Sequence, residues 1–307
     1  MLKLALPNKG RLAEDTRELF ADAGLAVQAR GDRALSASLG GEFEAIFVRA
    51  QDIPEFVADG AADAGVTGRD LVSESGRPLA DLLDLEVGRC RRVVAAREES
   101  GIAKLTDITG SPRVATPFPN LTRGFFERLG RPVEVVPVSG AAEIAPHLGI
   151  ADIVVDLTST GSTLRMNGLR EVALVLESSA RLIAAPRLAE GIPGREGEPE
   201  TAAGGAPTLT MTAKSAALGE LVAALTSVLR ARGQRYVMAN VPRAALERVK
   251  RVLPGLNGPT VVDVLDGGDV VAVHAVAPAK TIYRTIRDLK ALGAEGILVT
   301  RIERLMP

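Results

Sequence analysis

The chain has 307 residues, of which 46% are hydrophobic and 24% are charged, with a net charge of −1. These values are typical of a globular protein of two or three domains, and they argue against nucleic-acid binding, which usually needs a basic face. Only 3% of the residues are aromatic, the single cysteine excludes an intrachain disulfide, and two distant histidines make a histidine-rich metal centre improbable.

The first residues of the chain do not resemble a signal peptide, because the apolar run ends at Asn8-Lys9. No apolar stretch is long enough to span a bilayer. We therefore expect a cytoplasmic protein with no membrane partner.

The first block of the chain alternates strands and helices. Periodicity predicts a helix from residue 11 to residue 24 and strands at 2–6, 43–48 and 64–66. Asp52 and Glu55 match a capping box that would open a short helix ending near Gly60. This alternation favours a mostly parallel sheet.

A second block of the same kind begins near Arg92. The pattern predicts strands at 113–116 and 133–138, a helix at 121–129, and a second helix that Ser139 would cap and that runs towards His147. Strands at 172–176 and 181–184 are expected to return the chain to the first block. Two α/β lobes joined by two crossings would leave a cleft, which is a common place for a ligand.

The stretch from Asp152 to Thr163 is the most informative motif of the chain. A short apolar strand lies between Asp152 and Asp156, and a loop of hydroxyl residues around one glycine follows. Gly161 permits the backbone N–H groups to turn inward, and the hydroxyls add donors, so the loop is suited to holding a phosphate. The neighbouring carboxylates suit a sugar hydroxyl or a hydrated Mg²⁺. The alternative is an ordinary Ser/Thr/Gly loop after a strand.

The last hundred residues have a different pattern. Residues 191–207 are rich in Gly, Pro and Glu and are interpreted as a linker. A helix is expected at 216–229, followed by a strand at 235–239 and a helix opening at Pro242. A hairpin then follows, with strands at 260–265 and 270–276 and a turn at Gly267-Gly268. A helix at 279–292 and a strand at 296–300 end the chain's pattern. The order βαββαβ is the ferredoxin-like pattern.

Several motifs together resemble one known family. They are Lys9-Gly10-Arg11-Leu12, the stretches 48–54, 65–70 and 140–146, the motif at 152–163 with Asn167-Gly168-Leu169, and the C-terminal stretch 289–299. In this order and spacing, the chain resembles the ATP phosphoribosyltransferases of histidine biosynthesis in their long, self-regulated form. The resemblance implies that N1 of the adenine of ATP attacks C1′ of phosphoribosyl pyrophosphate and expels pyrophosphate with Mg²⁺ present. It further implies histidine as a feedback inhibitor and a homo-oligomer that exists as a dimer and a hexamer.

The resemblance also implies a domain plan. Residues 1–91 and 178–213 would form one lobe like those of periplasmic binding proteins, and residues 92–177 would form a second lobe with the phosphoribosyl pyrophosphate loop. Residues 214–307 would form the ferredoxin-like, ACT-like regulatory domain.

Candidate site residues follow from the strand ends and from the family reaction. Arg49, Arg33 and Lys9 are expected to stabilise the charge of the leaving pyrophosphate or of ATP, with Arg11 as a further phosphate contact. The alternative for each is a solvated surface cation. Thr67 and Asp70 are expected to meet adenine or its ribose, although Asp70 could instead cap a helix.

The second lobe supplies the remaining substrate contacts. Glu143 and Asp156 are expected to hold the ribose hydroxyls of phosphoribosyl pyrophosphate, with Asp152 in a supporting role. The 5′-phosphate would be held by the loop residues Thr158, Ser159, Thr160, Gly161, Ser162 and Thr163. The single cysteine, Cys90, is expected to be a buried small residue rather than a reactive thiol.

The effector residues implied by the family lie in the C-terminal domain. They are Asn240, Leu256, Gly258, Thr260 and Gly296. Asn240 stands where some relatives are expected to have an acid that grips the amino group of histidine, so weaker inhibition is expected. Two rival interpretations are a pure solute-binding module and a catalytic subunit that depends on a separate regulatory protein.

Overall fold

The computed structural model describes residues 1–28, 34–158, 161–190, 192, 212–265 and 268–306. The chain divides into two compact units, Met1–Val222 and Ala223–Pro307. Among these residues, the first unit contains two β-sheets and the second contains one. The predicted class, α/β lobes followed by a C-terminal ferredoxin-like domain, is confirmed. The predicted linker at 191–207 lies outside the described residues, apart from Ile192.

The strands and helices of the first unit follow one another in the order expected for alternating α/β structure. The strands are β1 (Leu2–Pro7), β2 (Val27–Gln28), β3 (Ser36–Leu39), β4 (Phe43–Val48), β5 (Ala64–Gly68), β6 (Ala80–Asp84), β7 (Cys90–Arg97), β8 (Arg113–Thr116), β9 (Glu134–Pro137), β10 (Ile153–Thr158), β11 (Leu169–Ser178) and β12 (Ala180–Ala184). The helices are α1 (Arg11–Asp22), α2 (Ile53–Ala58), α3 (Arg69–Ser75), α4 (Pro119–Arg128), α5 (Ser162–Met166) and α6 (Pro186–Ala189), and α7 (Ala213–Ala231) runs on into the second unit.

Lobe I is built on the sheet with strand order β2-β3-β4-β1-β5-β12-β6. Its central strands β4, β1 and β5 are parallel, so their carboxyl ends lie at one edge of the sheet. Ile53 and Val57 of α2 pack against Ala5 and Ile183, and all four side chains are fully buried. This packing fixes α2 over the strands whose ends carry the candidate residues.

Lobe II is built on the sheet with strand order β11-β7-β10-β8-β9. Strands β10, β8 and β9 are parallel, whereas β7 pairs antiparallel with both β10 and β11. Phe125 and Phe126 of α4 meet edge to face, with their ring centroids 5.2 Å apart, beneath Val94 and Ile153. The aliphatic core therefore has one aromatic pair, on the α4 face of the sheet.

The chain crosses between the two lobes twice. The first crossing leads from β6 to β7, and the second leads from β11 to β12. The two crossings lie side by side, since Ser178 pairs with Cys90 and the N–H of Leu85 donates to the oxygen of Ala180. The two predicted passages between the lobes are therefore present.

Two predicted helix features are wrong. Asp52 precedes α2, but its side chain makes no cap hydrogen bond because a 3-10 turn over Ala50–Asp52 puts its backbone at φ −91° and ψ −15°, outside the extended region that a cap needs. The helix expected from Ser139 towards His147 is reduced to a 3-10 turn over Ala142–Ile144. Pro146 cannot continue a helix, which explains the short length.

The second unit has the predicted ferredoxin-like topology. Its elements are β13 (Gln234–Pro242), α8 (Leu246–Val252), β14 (Thr260–Asp263), β15 (Val270–Pro278), α9 (Ile282–Ala291) and β16 (Glu295–Arg301). The sheet order is β14-β15-β13-β16, and each pair is antiparallel. Val237 of β13, Val249 of α8 and Leu289 of α9 are fully buried in one core. Side chains alternate along a strand, so Tyr236, which is 40% exposed, belongs to the opposite face of the sheet.

Candidate functional site

The carboxyl edge of the lobe I sheet carries exposed cations. Lys9 and Arg11 follow β1, Arg49 follows β4, and the Asn8 N–H donates to the Val48 oxygen at 2.9 Å, which holds the two strand ends together. Arg11 lies 3.8 Å from Asp15, one turn along α1. Within the described part of the chain, no carboxylate forms an ion pair with Lys9 or Arg49. Their charge is therefore available to an anion; Arg33 lies outside the described residues.

Thr67 and Asp70 occupy the end of the neighbouring strand, but both are turned into the protein. Thr67 is fully buried, and its hydroxyl donates to the Ala50 oxygen at 2.6 Å. Asp70 is 4% exposed, and its carboxylate accepts hydrogen bonds from Ser178 and Arg92. Neither side chain is accessible to a substrate in this conformation, so the structure does not bring them to the cleft as expected.

Two carboxylates lie at the carboxyl edge of the lobe II sheet. Asp156 lies two residues before the end of β10, and Glu143 is in the 3-10 turn that follows β9. Ala142 packs against Val154 of β10 in a common core, and Glu143 is close enough to Asp156 for its charge to raise the pKa of that acid. The structure therefore brings together the two acids that the sequence analysis assigns to the ribose hydroxyls, and the assignment itself stays a prediction.

The Asp156 carboxylate has an unusual environment for an acid. Its Oδ1 accepts a hydrogen bond from the Leu157 N–H at 2.6 Å. Burial raises the pKa of Asp156, the hydrogen bond from Leu157 and the charge of Arg92 lower it, and repulsion from Glu143 raises it, with a net upward shift. A partly desolvated carboxylate of this kind forms strong hydrogen bonds with a hydroxyl donor.

The loop after β10 is held by one of its own hydroxyls. Thr158 is buried, and its Oγ1 accepts from the Gly161 N–H at 2.8 Å. Gly161 has φ +73°, a backbone conformation that favours glycine, and α5 begins directly after it. Ser162 and Thr163 are exposed in the first turn of α5. Ser159 and Thr160 lie outside the described residues.

Asp152 lies at the wrong end of β10 for the supporting role expected of it. The strand separates it from Thr158 by about 20 Å, at roughly 3.3 Å per residue. Its carboxylate accepts from the Arg113 N–H at 2.8 Å, at the start of β8. The residue therefore joins two strand beginnings, and the structure does not bring it together with Asp156.

Two residues at the junction of the lobes, Arg92 and Glu74, were missed by the sequence prediction. Arg92 of β7 is 5% exposed, it binds Asp70, and its guanidinium carbon lies 3.7 Å from the centroid of the Phe118 ring. Glu74 of α3 accepts hydrogen bonds from the N–H groups of Asn120 and Leu121 in α4. An arginine directly before the apolar run Val93–Ala96 is the signal that could have identified Arg92.

A cavity of about 320 Å³ lies beside the two crossings. Its lining is mainly polar and comprises Arg69, Asp84, Arg89, Cys90, Arg91, Glu177, Ser178, Ser179 and Arg181. Cys90 is half-buried, and burial, followed by the charge of Asp70, raises the pKa of its thiol. Cys90 is therefore less buried than expected, and its raised pKa disfavours the thiolate.

Two of the effector candidates are neighbours in the second unit. A Cβ atom placed on Gly296 would lie 3.4 Å from Nδ2 of Asn240. Thr260 lies opposite His274 in the β14–β15 pair, and Asn240 lies opposite Ala272 in the β13–β15 pair. Leu256 and Gly258 are exposed in the loop before β14. The five candidates therefore lie along one sheet and one adjoining loop.

Two general properties bear on the class of site. Within the described ranges, no group of three or more His, Cys, Asp or Glu residues is arranged to hold a metal ion. Among the helices of those same ranges, none combines the length and the apolar character that crossing a membrane requires.

The sequence matches one family along most of its length. A family model described as ATP phosphoribosyltransferase matches residues 49–193, and a model described as HisG, C-terminal domain, matches residues 231–304. A curated ATP phosphoribosyltransferase of Gemmatimonas aurantiaca is 66% identical over 310 aligned residues, which cover 100% of both chains. One of Natronomonas pharaonis is 47% identical over 307 residues, again covering 100% of both chains.

A solved structure resembles the chain as well. It is described as the ATP phosphoribosyl transferase (HisG:HisZ) complex from Thermotoga maritima, with 30% sequence identity and a TM-score of 0.54. The match covers 62% of this chain and 89% of that chain.

Proposed function

The chain belongs to the ATP phosphoribosyltransferase family of histidine biosynthesis, and we propose that it joins N1 of the adenine of ATP to C1′ of phosphoribosyl pyrophosphate. In this reaction the N1 lone pair forms the new N–C bond, the bond from C1′ to the pyrophosphate oxygen breaks, and pyrophosphate leaves with the electron pair. The nucleophile already carries its lone pair, so no side-chain nucleophile is needed. Catalysis then depends on positioning the substrates and on stabilising charge.

The observation that carries this proposal is the contrast between the two sheet edges. The carboxyl edge of lobe I presents Lys9 and Arg49 without acidic partners among the described residues, whereas that of lobe II presents Asp156 and Glu143. A substrate with a pyrophosphate at one end of a ribose and hydroxyls on the ring needs both kinds of group. We assign Lys9 and Arg49, with Arg33 and Arg11, to the phosphates of the leaving group or of ATP.

The lobe II residues are assigned to the rest of phosphoribosyl pyrophosphate. Asp156 and Glu143 would accept hydrogen bonds from the ribose hydroxyls. The exposed first turn of α5, with Ser162, Thr163 and the Gly161 backbone, would hold the 5′-phosphate, together with Ser159 and Thr160. Thr158 would act by keeping this loop in shape, since its hydroxyl already binds the Gly161 N–H.

We further propose that Mg²⁺ takes part in the reaction. Mg²⁺ commonly keeps several waters and is held by one or two carboxylates and by substrate phosphates, which suits a site with only two neighbouring acids. Glu143 and Asp156 are the described residues that would hold it. When bound, the ion would neutralise charge on the pyrophosphate group.

The same proposal extends to organisation and regulation. The two lobes of the first unit would be catalytic, with the boundary predicted between residues 91 and 92 moved to the start of β7 at Cys90. Residues 214–307 would bind histidine as a feedback inhibitor through Asn240, Leu256, Gly258, Thr260 and Gly296. The match of the C-terminal family model to residues 231–304 supports a regulatory domain within the chain itself. A homo-oligomer of dimers and hexamers is part of this proposal.

A turnover assay with the purified chain tests the proposal. ATP, phosphoribosyl pyrophosphate and Mg²⁺ are incubated with inorganic pyrophosphatase, and the product is followed by absorbance and identified by mass spectrometry. Formation of the N1-ribosylated nucleotide is expected, with inhibition by added histidine. Absence of product, whichever substrate is added first, together with tight binding of another solute, would favour a pure binding module instead. Turnover that requires a second protein would favour the separate regulatory subunit.

A further inference from the structure

A buried ion pair joins the two lobes beside their crossings. Asp70 is the second residue of α3 in lobe I, and Arg92 lies in β7 of lobe II. The Nε of Arg92 donates to Oδ2 of Asp70 at 2.8 Å, and a second guanidinium nitrogen donates to the same oxygen. The two side chains are only 6% and 5% exposed. Because desolvating two charges is costly, such a pair persists only where its geometry is well defined.

The carboxylate of Asp70 also contacts the second crossing. The Ser178 hydroxyl donates to Oδ1 of Asp70 at 2.7 Å, and it accepts from the Asp70 N–H at 3.1 Å. The adjacent N–H of Arg69 donates to the Ser179 oxygen at 3.0 Å. Arg92 lies on the first crossing strand and Ser178 ends the second, so one carboxylate binds both strands that connect the lobes.

The other side of the Arg92 guanidinium is covered by lobe II. The ring of Phe118, whose centroid is 3.7 Å from the guanidinium carbon, belongs to the residue that precedes α4. Phe118 is itself fixed, since its N–H donates to Oγ1 of Thr116 at 3.0 Å. Arg92 is thus enclosed between a carboxylate of lobe I and an aromatic ring of lobe II.

The far end of α3 makes a second contact between the lobes. The carboxylate of Glu74 accepts from the N–H groups of Asn120 at 3.0 Å and Leu121 at 2.9 Å, in the first turn of α4. The Asn120 amide donates in return to the Glu74 backbone oxygen at 2.9 Å. The short helix α3 is therefore attached to lobe II at both of its ends, and a lobe rotation would have to break one of these contacts.

From this geometry we propose that Arg92 is a positioning residue, which with Asp70 sets the separation between the cationic edge of lobe I and the acidic edge of lobe II. The inference rests on the proposed function, because it concerns the distance between the residues assigned to pyrophosphate and those assigned to ribose. It also gives Asp70 a different role from nucleotide binding. Arg92 lies directly opposite Leu157, the neighbour of Asp156, in the β7–β10 pair. A displacement of Arg92 would therefore also displace the acidic edge of lobe II.

Small displacements matter for such a reaction. A misplacement of about 1 Å between reacting groups lowers rates by about 10²-fold. Arg92→Lys keeps the charge but loses the forked donor geometry and the stacking on Phe118. Arg92→Leu removes the charge as well, and Asp70→Asn removes the other partner.

The matched control is Arg91→Lys. Arg91 is the next residue on β7, and it makes a two-pronged ion pair with Glu171 at 3.0 and 2.8 Å, entirely within lobe II. We expect Arg92→Lys and Asp70→Asn each to lower kcat by about 10- to 100-fold. The Kd for ribose 5-phosphate, measured by calorimetry on the free enzyme, should change by less than about 3-fold, because the residues assigned to the ribose and to the 5′-phosphate are all in lobe II. The kcat of the double variant, Arg92→Lys with Asp70→Asn, should be no lower than that of either single variant, since both substitutions act through one contact.

Two kinetic results would overturn the inference. A rise in KM for ATP alone in Asp70→Asn, with kcat retained and Arg92→Lys silent, would make Asp70 a nucleotide ligand. A loss of folded protein with unchanged kcat per active site would make the pair merely structural. Failure of the proposed function itself would appear differently, as absence of turnover in the unaltered chain.

A distance measurement tests the inference independently of turnover. Spin labels are attached at Glu18→Cys of α1 and Glu127→Cys of α4, both exposed, in a Cys90→Ser background, and labelled chains are diluted with unlabelled ones. The distance distribution between the labels should broaden or shift in Arg92→Leu and remain unchanged in Arg91→Lys. An unchanged distribution in Arg92→Leu would overturn the proposal.

Discussion

At the level of single residues, the binding role proposed for Asp156 conflicts with the effect of this residue on stability. Its carboxylate is half-buried next to Glu143, and burial is the main cause of its raised pKa. An acid whose pKa is raised by folding contributes stability at low pH, and this contribution is lost as the pH rises through the pKa of the folded state. At neutral pH the ionised Asp156 therefore destabilises the fold. A purely structural role would not explain the presence of an aspartate at this position.

We predict that Asp156→Asn raises the Tm at neutral pH and weakens substrate use. The neutral amide removes the desolvated charge, while its oxygen can still accept from the Leu157 N–H. The gain in Tm should shrink as the pH falls towards 3.8, the ordinary pKa of aspartate, because the native residue then becomes neutral as well. Loss of charged hydrogen bonds to ribose, worth about 1.5–3 kcal/mol, should lower kcat/KM for phosphoribosyl pyrophosphate by about 10- to 100-fold.

Thermal unfolding at several pH values and steady-state kinetics measure both effects. A variant that is less stable at neutral pH would contradict the electrostatic account. Unchanged kinetics would remove Asp156 from the site.

Arg49 is the second residue for which a strong effect is predicted. It is exposed at the end of β4, and no acid in the described part of the chain forms an ion pair with it. If it stabilises charge on the leaving group, Arg49→Ala should lower kcat by about 10²-fold or more with little change in Tm. Arg128→Ala, at the exposed end of α4, is the matched control and should retain activity. Equal activity of the two variants would show that Arg49 is an ordinary surface cation.

The sequence could predict these residues better than their neighbours for a physical reason. Arg49 follows β4 and Asp156 lies near the carboxyl end of β10, and such positions lie at one sheet edge wherever the strands pair in parallel. Thr67 and Asp70 have the same local pattern, yet they are buried by partners from distant segments, Ala50 and Arg92. Local spacing carries no information about those partners, so accessibility could not be inferred.

At the level of elements, the two ends of β10 illustrate the same limit. Asp152 and Asp156 flank one apolar run, and composition alone treats them alike. The direction of the strand in the sheet separates them, because only the carboxyl end faces the loop with Gly161. Strand β7 was missed because Arg91 and Arg92, near its start, are charged, although both are paired by β10 on one side and by β11 on the other.

The contrast between the two ends of β10 predicts that Asp152→Ala has almost no effect on substrate use. The variant loses the hydrogen bond with the Arg113 N–H and a long, exposed ion pair at 3.9 Å. We expect a loss of about 1 kcal/mol in the free energy of unfolding and a KM for phosphoribosyl pyrophosphate within about 2-fold of the unaltered chain. Denaturant unfolding and steady-state kinetics provide the test. A large rise in KM would return Asp152 to the substrate site.

At the level of the whole molecule, the two α/β lobes and the ferredoxin-like domain are separate along the sequence. The βαββαβ order of the last hundred residues was predictable because hairpin and helix signals are local. The arrangement of the first unit was less predictable, since the sheet of lobe I includes β12, which pairs with β5 although it lies more than a hundred residues later in the chain. Pairing between such distant strands depends on the whole folded sheet rather than on any local signal.

The proposed regulation can be tested at Asn240, which lies beside Gly296 on the sheet of the second unit. If Asn240 faces the amino group of bound histidine, Asn240→Asp supplies a charge-assisted hydrogen bond in place of a neutral one. The difference of about 1 kcal/mol should strengthen histidine inhibition by about 5- to 10-fold without changing kcat in the absence of histidine. Gln234→Glu, at the opposite end of β13 and about 20 Å away, adds the same charge as a control. Inhibition curves and calorimetric titration with histidine measure the effect; equal responses of the two variants would mean that histidine binds elsewhere or responds only to net charge.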